Sequence, residues 1–186
     1  LADMTEFAIR RLRRDGEGYF LMVEAGRIDH AHHFSNAYRA LVDTVALSDA
    51  VQRAVNLTSA ADTLIIVTAD HSHTFTISGY PSRGNPILGK VAVGGQEQLD
   101  AEGRPYTTLS YANGPGYLKE LPDLTDVDTT AHTYRQIAAV PLPVETHAGE
   151  DVPAYARGPG ADGVNGVMDQ NEIYATMRQA LWGDAE

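Results

Sequence analysis

Apolar side chains recur every three to four residues in three parts of the chain, which is the spacing of an α-helix. The pattern predicts one helix over about 4–14, a longer one from about 31 to 58, and a last one over about 171–182. Gly16 and the turn at 60–62 follow the first two helices. The inward face predicted for the last helix consists of Ile173, Met177, Ala180 and Leu181.

Short runs of apolar residues predict strands between these helices. The runs at 19–23 and 63–68 contain few polar side chains, and the second is rich in β-branched residues, as is typical of a parallel strand covered on both faces. Strand, helix and strand in this order form a βαβ unit, whose two strands end at the same edge of the sheet. Open α/β sheets bind ligands at that edge, so the topology alone predicts a site there.

The middle of the chain has a less regular pattern. From 79 to 143 glycine and proline are frequent, and only short strands such as 106–111 are predicted. We interpret 1–78 as the βαβ part of an α/β domain, 79–143 as an insertion, and 144–186 as a return to the α/β domain with a last strand at 152–157. The predicted fold is therefore α/β, with part of a mostly parallel sheet flanked by helices.

Composition narrows the function classes. A length of 186 residues with 43% hydrophobic residues suits one globular domain. The formal charge of -11 disfavours nucleic acid as a partner, and the basic run at 10–14 is most simply the solvated face of the first helix. Without cysteine, disulfides and thiolate ligands are excluded. The first residues do not resemble a signal peptide, and no apolar run reaches the roughly 20 residues of a transmembrane helix.

Two clusters of acids and histidines follow the apolar runs. The first, at 24–33, contains Asp29 and His33, which lie four residues apart and share one face if a helix begins near Asp29. A carboxylate oxygen and an imidazole nitrogen suit zinc, and catalytic zinc typically has three protein ligands. His147 is the best third ligand, because it precedes a predicted strand beside a glycine. For His147 to reach the same edge, that strand should run antiparallel to the others, or its leading loop must fold back.

The second cluster, at 68–73, leaves the strand predicted at 63–68. Asp70 and His71 can both reach one ion only if the backbone turns there, which would make them a second zinc position. Two metal ions about 3.5 to 4 Å apart would contact both the attacking and the leaving oxygen in phosphate ester hydrolysis. Glu24 offers a hard oxygen and suits magnesium better than zinc.

Each of these residues also has a simpler explanation. Asp29 is favoured at a helix start by the helix dipole, and Asp70 is a common turn residue after a strand. Their combination in two clusters at one predicted edge favours the metal site. Of the other histidines, we expect His73 to hold a carboxylate ligand in place, and His30 and His32 to be packing or surface groups.

These clusters resemble the metal-binding blocks of the alkaline phosphatase family. The segments that carry the resemblance are 23–33, 67–73 and 145–151, in the family's order and with similar gaps, together with 111–117 and 156–159. Segments of this length and order are far more specific than a single acid and histidine pair. The similarity runs over essentially the whole chain and is greatest to the animal-type and related bacterial branch.

The resemblance implies a phosphate monoester hydrolase that uses zinc and magnesium. The ligands that it implies for the first zinc are Asp29, His33 and His147. Those that it implies for the second zinc include Asp70 and His71. Glu24 would contribute to the magnesium site, and His73 would support Asp29 from outside the ligand shell. The resemblance also implies a homodimer that is periplasmic or secreted, with 79–143 as a crown-like region near the dimer interface.

The family pattern has an upstream half that is not found here. It contains a nucleophilic serine in an Asp-Ser-Ala block, a phosphate-binding arginine, an aspartate shared by zinc and magnesium, and a hydroxyl ligand of magnesium. Ser48-Asp49-Ala50 has the reversed order and lies within a predicted helix. The chain therefore resembles the carboxyl-terminal part of an alkaline phosphatase. The whole enzyme would pass through a phosphoserine, and the isolated chain is expected to be inactive or nearly so.

Two other functions are compatible with the residues. One is another two-metal phosphoesterase or mutase of the same superfamily, in which a strand ending in Ala-Asp-His is common, although the segments 24–33 and 146–150 argue against it. The other is a metal-binding domain or pseudoenzyme without catalysis that starts near Leu1, which independent folding would support.

Overall fold

A computed structural model describes residues 1–183. The chain forms two compact units. The first unit consists of Leu1–Ala25, Val45–Asp70 and the described residues from Asp151 onward. The second unit consists of Gly26–Thr44 and His71–Glu150. Each unit therefore combines segments that are distant in the sequence.

Helices form where the apolar spacing predicted them. The first is α1 (Ala2–Leu12), which continues into a 3₁₀ turn at Arg13–Asp15. The long predicted helix is two helices, α2 (Arg27–His33) and α3 (Ala37–Leu57). The last is α4 (Glu172–Trp182). None of these helices combines the length and the apolar character that crossing a bilayer requires.

The break between α2 and α3 has a local cause. Ser35 has φ 54°, a left-handed conformation that residues other than glycine rarely adopt. The Oδ1 of Asn36 accepts a hydrogen bond from the backbone N–H of Arg39 at 2.9 Å, as an N-terminal cap of α3. Apolar spacing continues across this break, so the sequence pattern alone predicted one helix.

The strands are short and lie in several small sheets. In chain order they are β1 (Ile65–Val67), β2 (Ser72–His73), β3 (Phe75–Ile77), β4 (Ala92–Val93), β5 (Gln96–Glu97), β6 (Leu109–Gly114), β7 (Ala138–Pro141), β8 (His147–Ala148) and β9 (Tyr155–Arg157). In the first unit, β1 pairs with β9. In the second unit, β2 pairs with β8, β4 pairs with β5, and β3, β6 and β7 form one three-stranded sheet.

The fold is α/β, but the mostly parallel sheet is not found among residues 1–183. Of the five strand pairings there, only that of β6 with β7 is parallel. The strand predicted at 19–23 is absent, and Phe20 and Met22 are exposed. Without that strand the predicted βαβ unit does not form either. An apolar run becomes a strand only where a neighbour accepts and donates its backbone hydrogen bonds, and periodicity does not show that neighbour.

Other strand predictions agree with the structure. The run predicted at 63–68 contains β1, and the one predicted at 152–157 contains β9. β9 is antiparallel to β1, as expected for the strand that follows His147. The inward face predicted for α4 is not covered within the described residues, since Ile173 and Met177 are partly exposed and Leu181 is exposed.

Gln136 fixes the corner between α2 and α3 in the second unit. Its side chain is buried, and its Oε1 accepts a hydrogen bond from the backbone N–H of Ala37 at 2.7 Å. Its own backbone N–H donates to the carbonyl oxygen of Ser35 at 2.8 Å. Together these bonds satisfy polar groups that the corner would otherwise bury unpaired. The corner keeps the end of α2 in a defined position relative to β7 and the segment that follows it.

Candidate metal centre

Three elements of the second unit bring acid and histidine side chains together. Helix α2 carries Asp29 and His33 one turn apart, as the spacing predicted. His71 directly precedes β2, and His73 lies within it. In the antiparallel ladder of β2 with β8, His73 is paired directly with His147. These residues therefore meet through an antiparallel pairing, and not through the parallel βαβ unit that was predicted.

The imidazoles converge on one oxygen atom of Asp29. The Nε2 atoms of His33, His73 and His147 lie 3.2, 3.1 and 3.2 Å from Asp29 Oδ1. The Nε2 of His71 lies 4.0 Å from the same oxygen. The rings of His71 and His147 stack with their centroids 3.5 Å apart. Four imidazole nitrogens are thus directed at a single carboxylate.

Asp29 Oδ1 is buried, yet no described group gives it an aligned hydrogen bond. A buried carboxylate oxygen without a partner is costly, so its surroundings should supply positive charge. The side chains of Asp29, His71, His73 and His147 can each place one ligand atom within 4.8 Å of the others. One carboxylate and several imidazoles are the donor set that zinc prefers. The residues present therefore fit a zinc ion.

Glu145 forms a second part of the cluster, and sequence analysis assigned it no role. Its side chain is fully buried, and its Oε2 lies 2.7 Å from Nδ1 of His73 and 3.7 Å from Nδ1 of His33. These three residues form a second group that could hold a metal ion. The sequence signal was only its place two residues before His147, because burial of a carboxylate cannot be seen in a sequence.

His32 packs against the cluster from the side. Its ring stacks on that of His73 with centroids 4.6 Å apart, and its Nδ1 lies 2.8 Å from the hydroxyl of Tyr111. Burial lowers the pKa of His32 to about 4, so the imidazole is neutral near pH 7. Burial also raises the pKa of the Tyr111 hydroxyl, which therefore stays protonated. His32 is a packing group, as the sequence suggested, and His30 is exposed.

Glu24 and Asp70 belong to the first unit, where both residues are exposed. The magnesium role of Glu24 and the zinc role of Asp70 stay predictions. His132, to which the sequence assigned no role, is an exposed residue of the second unit that faces the ring of Tyr38.

The sequence of the chain matches a known protein family. A family model described as alkaline phosphatase matches residues 1–182. The tissue-nonspecific isozyme of alkaline phosphatase from Gallus gallus is 48% identical over 183 residues, which are 97% of this chain and 34% of that protein. The corresponding isozymes of Felis catus and Homo sapiens are 45% and 43% identical over the same shares. The chain thus spans about a third of the length of these relatives.

Proposed function

Because the chain belongs to the alkaline phosphatase family, we propose that it provides zinc ligands to the active site of a phosphate monoester hydrolase. The observation that carries this proposal is the buried Oδ1 of Asp29, which has the Nε2 atoms of four histidines within 4.0 Å. These imidazoles repel one another when they are protonated together, and a cation bound at the centre of the cluster would stabilise them.

We propose specific roles for the clustered side chains. The first zinc would be held by Asp29, His33 and His147, since the Nε2 atoms of both histidines lie 3.2 Å from Asp29 Oδ1. Asp70 and His71 would contribute to the second zinc, and Glu24 to magnesium. His73 would hold Asp29 in position, which is supported by the 3.1 Å between its Nε2 and Asp29 Oδ1.

When bound, zinc would supply positive charge that stabilises the negative charge on the oxygens of a phosphate ester. The protein's own contribution is the rigid placement of the ligands. The side chain of His73 is 7% exposed and that of Glu145 is 0% exposed, so one side of the cluster is closed to water. The side chain of His147 is 49% exposed. A phosphate ester would therefore approach from the side of His147.

The proposed reaction also needs groups that these 186 residues do not contain. No Asp-Ser-Ala block is present, so the attacking serine and the phosphate-binding arginine would come from another part of a longer protein. We propose that the isolated chain has little or no activity, since the nucleophile, its arginine and the full metal site act as one unit. The same resemblance supports an exported homodimer in which 79–143 forms a crown-like region near the dimer interface.

Replacing His147 with alanine is expected to weaken zinc binding by about 100-fold or more, since it removes one of about three protein ligands. The matched control is His132→Ala, which removes an exposed histidine of the same unit outside the cluster. Zinc affinity would be measured by competition with a chromophoric chelator, and the wild-type chain should bind about one equivalent at the tight site. Equal losses of affinity in both variants would contradict the assigned site.

Turnover of p-nitrophenyl phosphate at alkaline pH tests the activity of the chain alone. We expect no hydrolysis above the uncatalysed rate from the zinc-loaded chain. Robust hydrolysis that the His147→Ala variant abolishes would show that the serine is dispensable, and the proposed division of the active site would then be wrong.

A further inference from the structure

We infer that Glu145 is a positioning residue that fixes the ring orientations of His33 and His73, and thereby directs both Nε2 atoms toward Asp29. The inference rests on the proposed zinc site and adds a residue to it. Glu145 uses two different groups for the two rings, the carboxylate of its side chain for His73 and its backbone carbonyl for His33.

The carboxylate of Glu145 has three hydrogen-bond donors around it. Its Oε2 accepts from Nδ1 of His73 at 2.7 Å. Its Oε1 accepts from both the backbone N–H and the hydroxyl of Thr74, each at 2.7 Å. Because Oε1 already accepts two bonds from Thr74, Oε2 is the oxygen that faces His73, and we assign Nδ1 as the donor of this bond. That bond leaves Nε2 of His73 directed at Asp29 Oδ1, 3.1 Å away.

The backbone of Glu145 orients His33 in the same way. Its carbonyl oxygen accepts from Nδ1 of His33 at 2.6 Å, and its N–H donates to the carbonyl oxygen of His33 at 3.0 Å. The Nδ1 of His33 therefore also carries a proton, since a carbonyl oxygen is an acceptor only. The Nε2 of His33 is left as the atom that faces Asp29 Oδ1 at 3.2 Å. One residue thus selects which nitrogen faces the cluster in both rings.

Close packing around Glu145 keeps it in this place. A side chain at Gly114 would bring its Cβ to 2.8 Å from both the Cβ of Glu145 and the Oγ of Ser35. Gly114 has φ +129°, which also disfavours other residues. The backbone of β6 therefore lies directly against Cα and Cβ of Glu145, which fixes the point from which its side chain extends.

Glutamine is the informative substitution at Glu145 because it has nearly the same shape and only one acceptor oxygen. The backbone N–H of Thr74 cannot be removed or reoriented, so the amide of the introduced glutamine would keep its oxygen there and present its NH₂ group to His73. Nδ1 of His73 would then have to accept instead of donate, which weakens the bond that orients this ring against Glu145. The carbonyl oxygen that orients His33 is unchanged in this variant.

Glu145→Gln is therefore expected to weaken zinc binding by about 10- to 100-fold, the usual effect of losing the group that orients a ligand shell. Imidazole nitrogen NMR should show Nδ1 of His33 still protonated in this variant and Nδ1 of His73 deprotonated. A purely structural role would lower stability, but it would not change the protonation of Nδ1 in His73 while leaving that of His33 unchanged. Unchanged zinc affinity, or an unchanged protonation pattern of His73, would overturn the inference.

The matched control is Glu150→Gln, which removes an exposed carboxylate from the same segment, where it accepts a hydrogen bond from Ser72 at 2.6 Å. This variant should keep the zinc affinity of the wild-type chain. If Glu145→Gln does not fold, the zinc-free wild-type chain decides the question, since both Nδ1 atoms must be protonated there without help from a metal. Should Asp29→Ala bind zinc as tightly as wild type, the proposed zinc site itself fails. Should only Glu145→Gln do so, the site stands and the role of Glu145 fails.

Discussion

Asp29→Ala is expected to weaken zinc binding by more than 100-fold and to have the largest effect of any substitution in the cluster. Asp29 Oδ1 is the atom on which the Nε2 atoms of three histidines converge within 3.2 Å. Losing a group that only orients a ligand already costs about 10- to 100-fold in affinity. Removing Asp29 takes away the sole carboxylate of its group and leaves mutually facing imidazoles without negative charge between them.

Chelator competition at fixed pH and ionic strength would measure this loss. The control is Asp126→Ala, which removes an exposed carboxylate from a loop of the same unit. Both variants lower the negative charge of the chain by one, so any general effect of charge on zinc affinity appears equally in both. A similar affinity for Asp29→Ala and Asp126→Ala would mean that zinc binds elsewhere, and the assignment of His33 and His147 would fail with it.

Gly116→Ala is expected to destabilise the protein by about 3 kcal/mol, the upper part of the range for forcing an extra group into a packed site. A Cβ at this position would overlap the carbonyl oxygen of Gln136, and it would lie 3.2 Å from the Cβ of Ser35. The overlapped atom belongs to the backbone, so no side-chain rotation relieves the clash. The backbone N–H of Gly116 also donates to Oγ of Ser35 at 3.3 Å.

Thermal and urea unfolding of the zinc-free chain would measure this effect without interference from metal binding. Gly149→Ala is the matched control, because a Cβ there would meet nothing within 4 Å. We expect this control to stay within about 0.5 kcal/mol of wild type, as is usual for substitutions away from packed sites. Equal stability of Gly116→Ala and Gly149→Ala would show that the segment at 114–117 does not lie against Gln136 as described.

The sequence predicted elements well where local pattern decides them. The signals for α1, α4 and β1 are local: apolar spacing in the two helices and a β-branched run in the strand. Each of these elements forms. The run at 19–23 has the same apolar character but no strand beside it in the described residues. The break before α3 depends on the conformation of Ser35, which spacing does not register.

Five members of the cluster were predictable from the sequence, but Glu145 and the construction of the cluster were not. Spacing on one helix face suggested Asp29 with His33, and the structure brings His71, His73 and His147 to them. The route is the antiparallel pairing of β2 with β8, whereas the sequence suggested parallel strands. Glu145 was missed because its importance lies in burial and in the donors that surround it. Those are properties of the folded chain that no single segment of the sequence displays.

The two-residue ladder of β2 with β8 has a consequence for how the chain can change in length. Side chains alternate between the faces of a strand, so removal of one residue there would turn a histidine to the opposite face. His73 and His147 occupy paired positions in this ladder. Insertions and deletions are therefore tolerable in exposed turns between the two strands, such as 101–103, but not within 71–73 or 145–147. Relatives with longer or shorter loops can keep this cluster, whereas a single-codon deletion inside either strand would remove it while leaving all other residues in place.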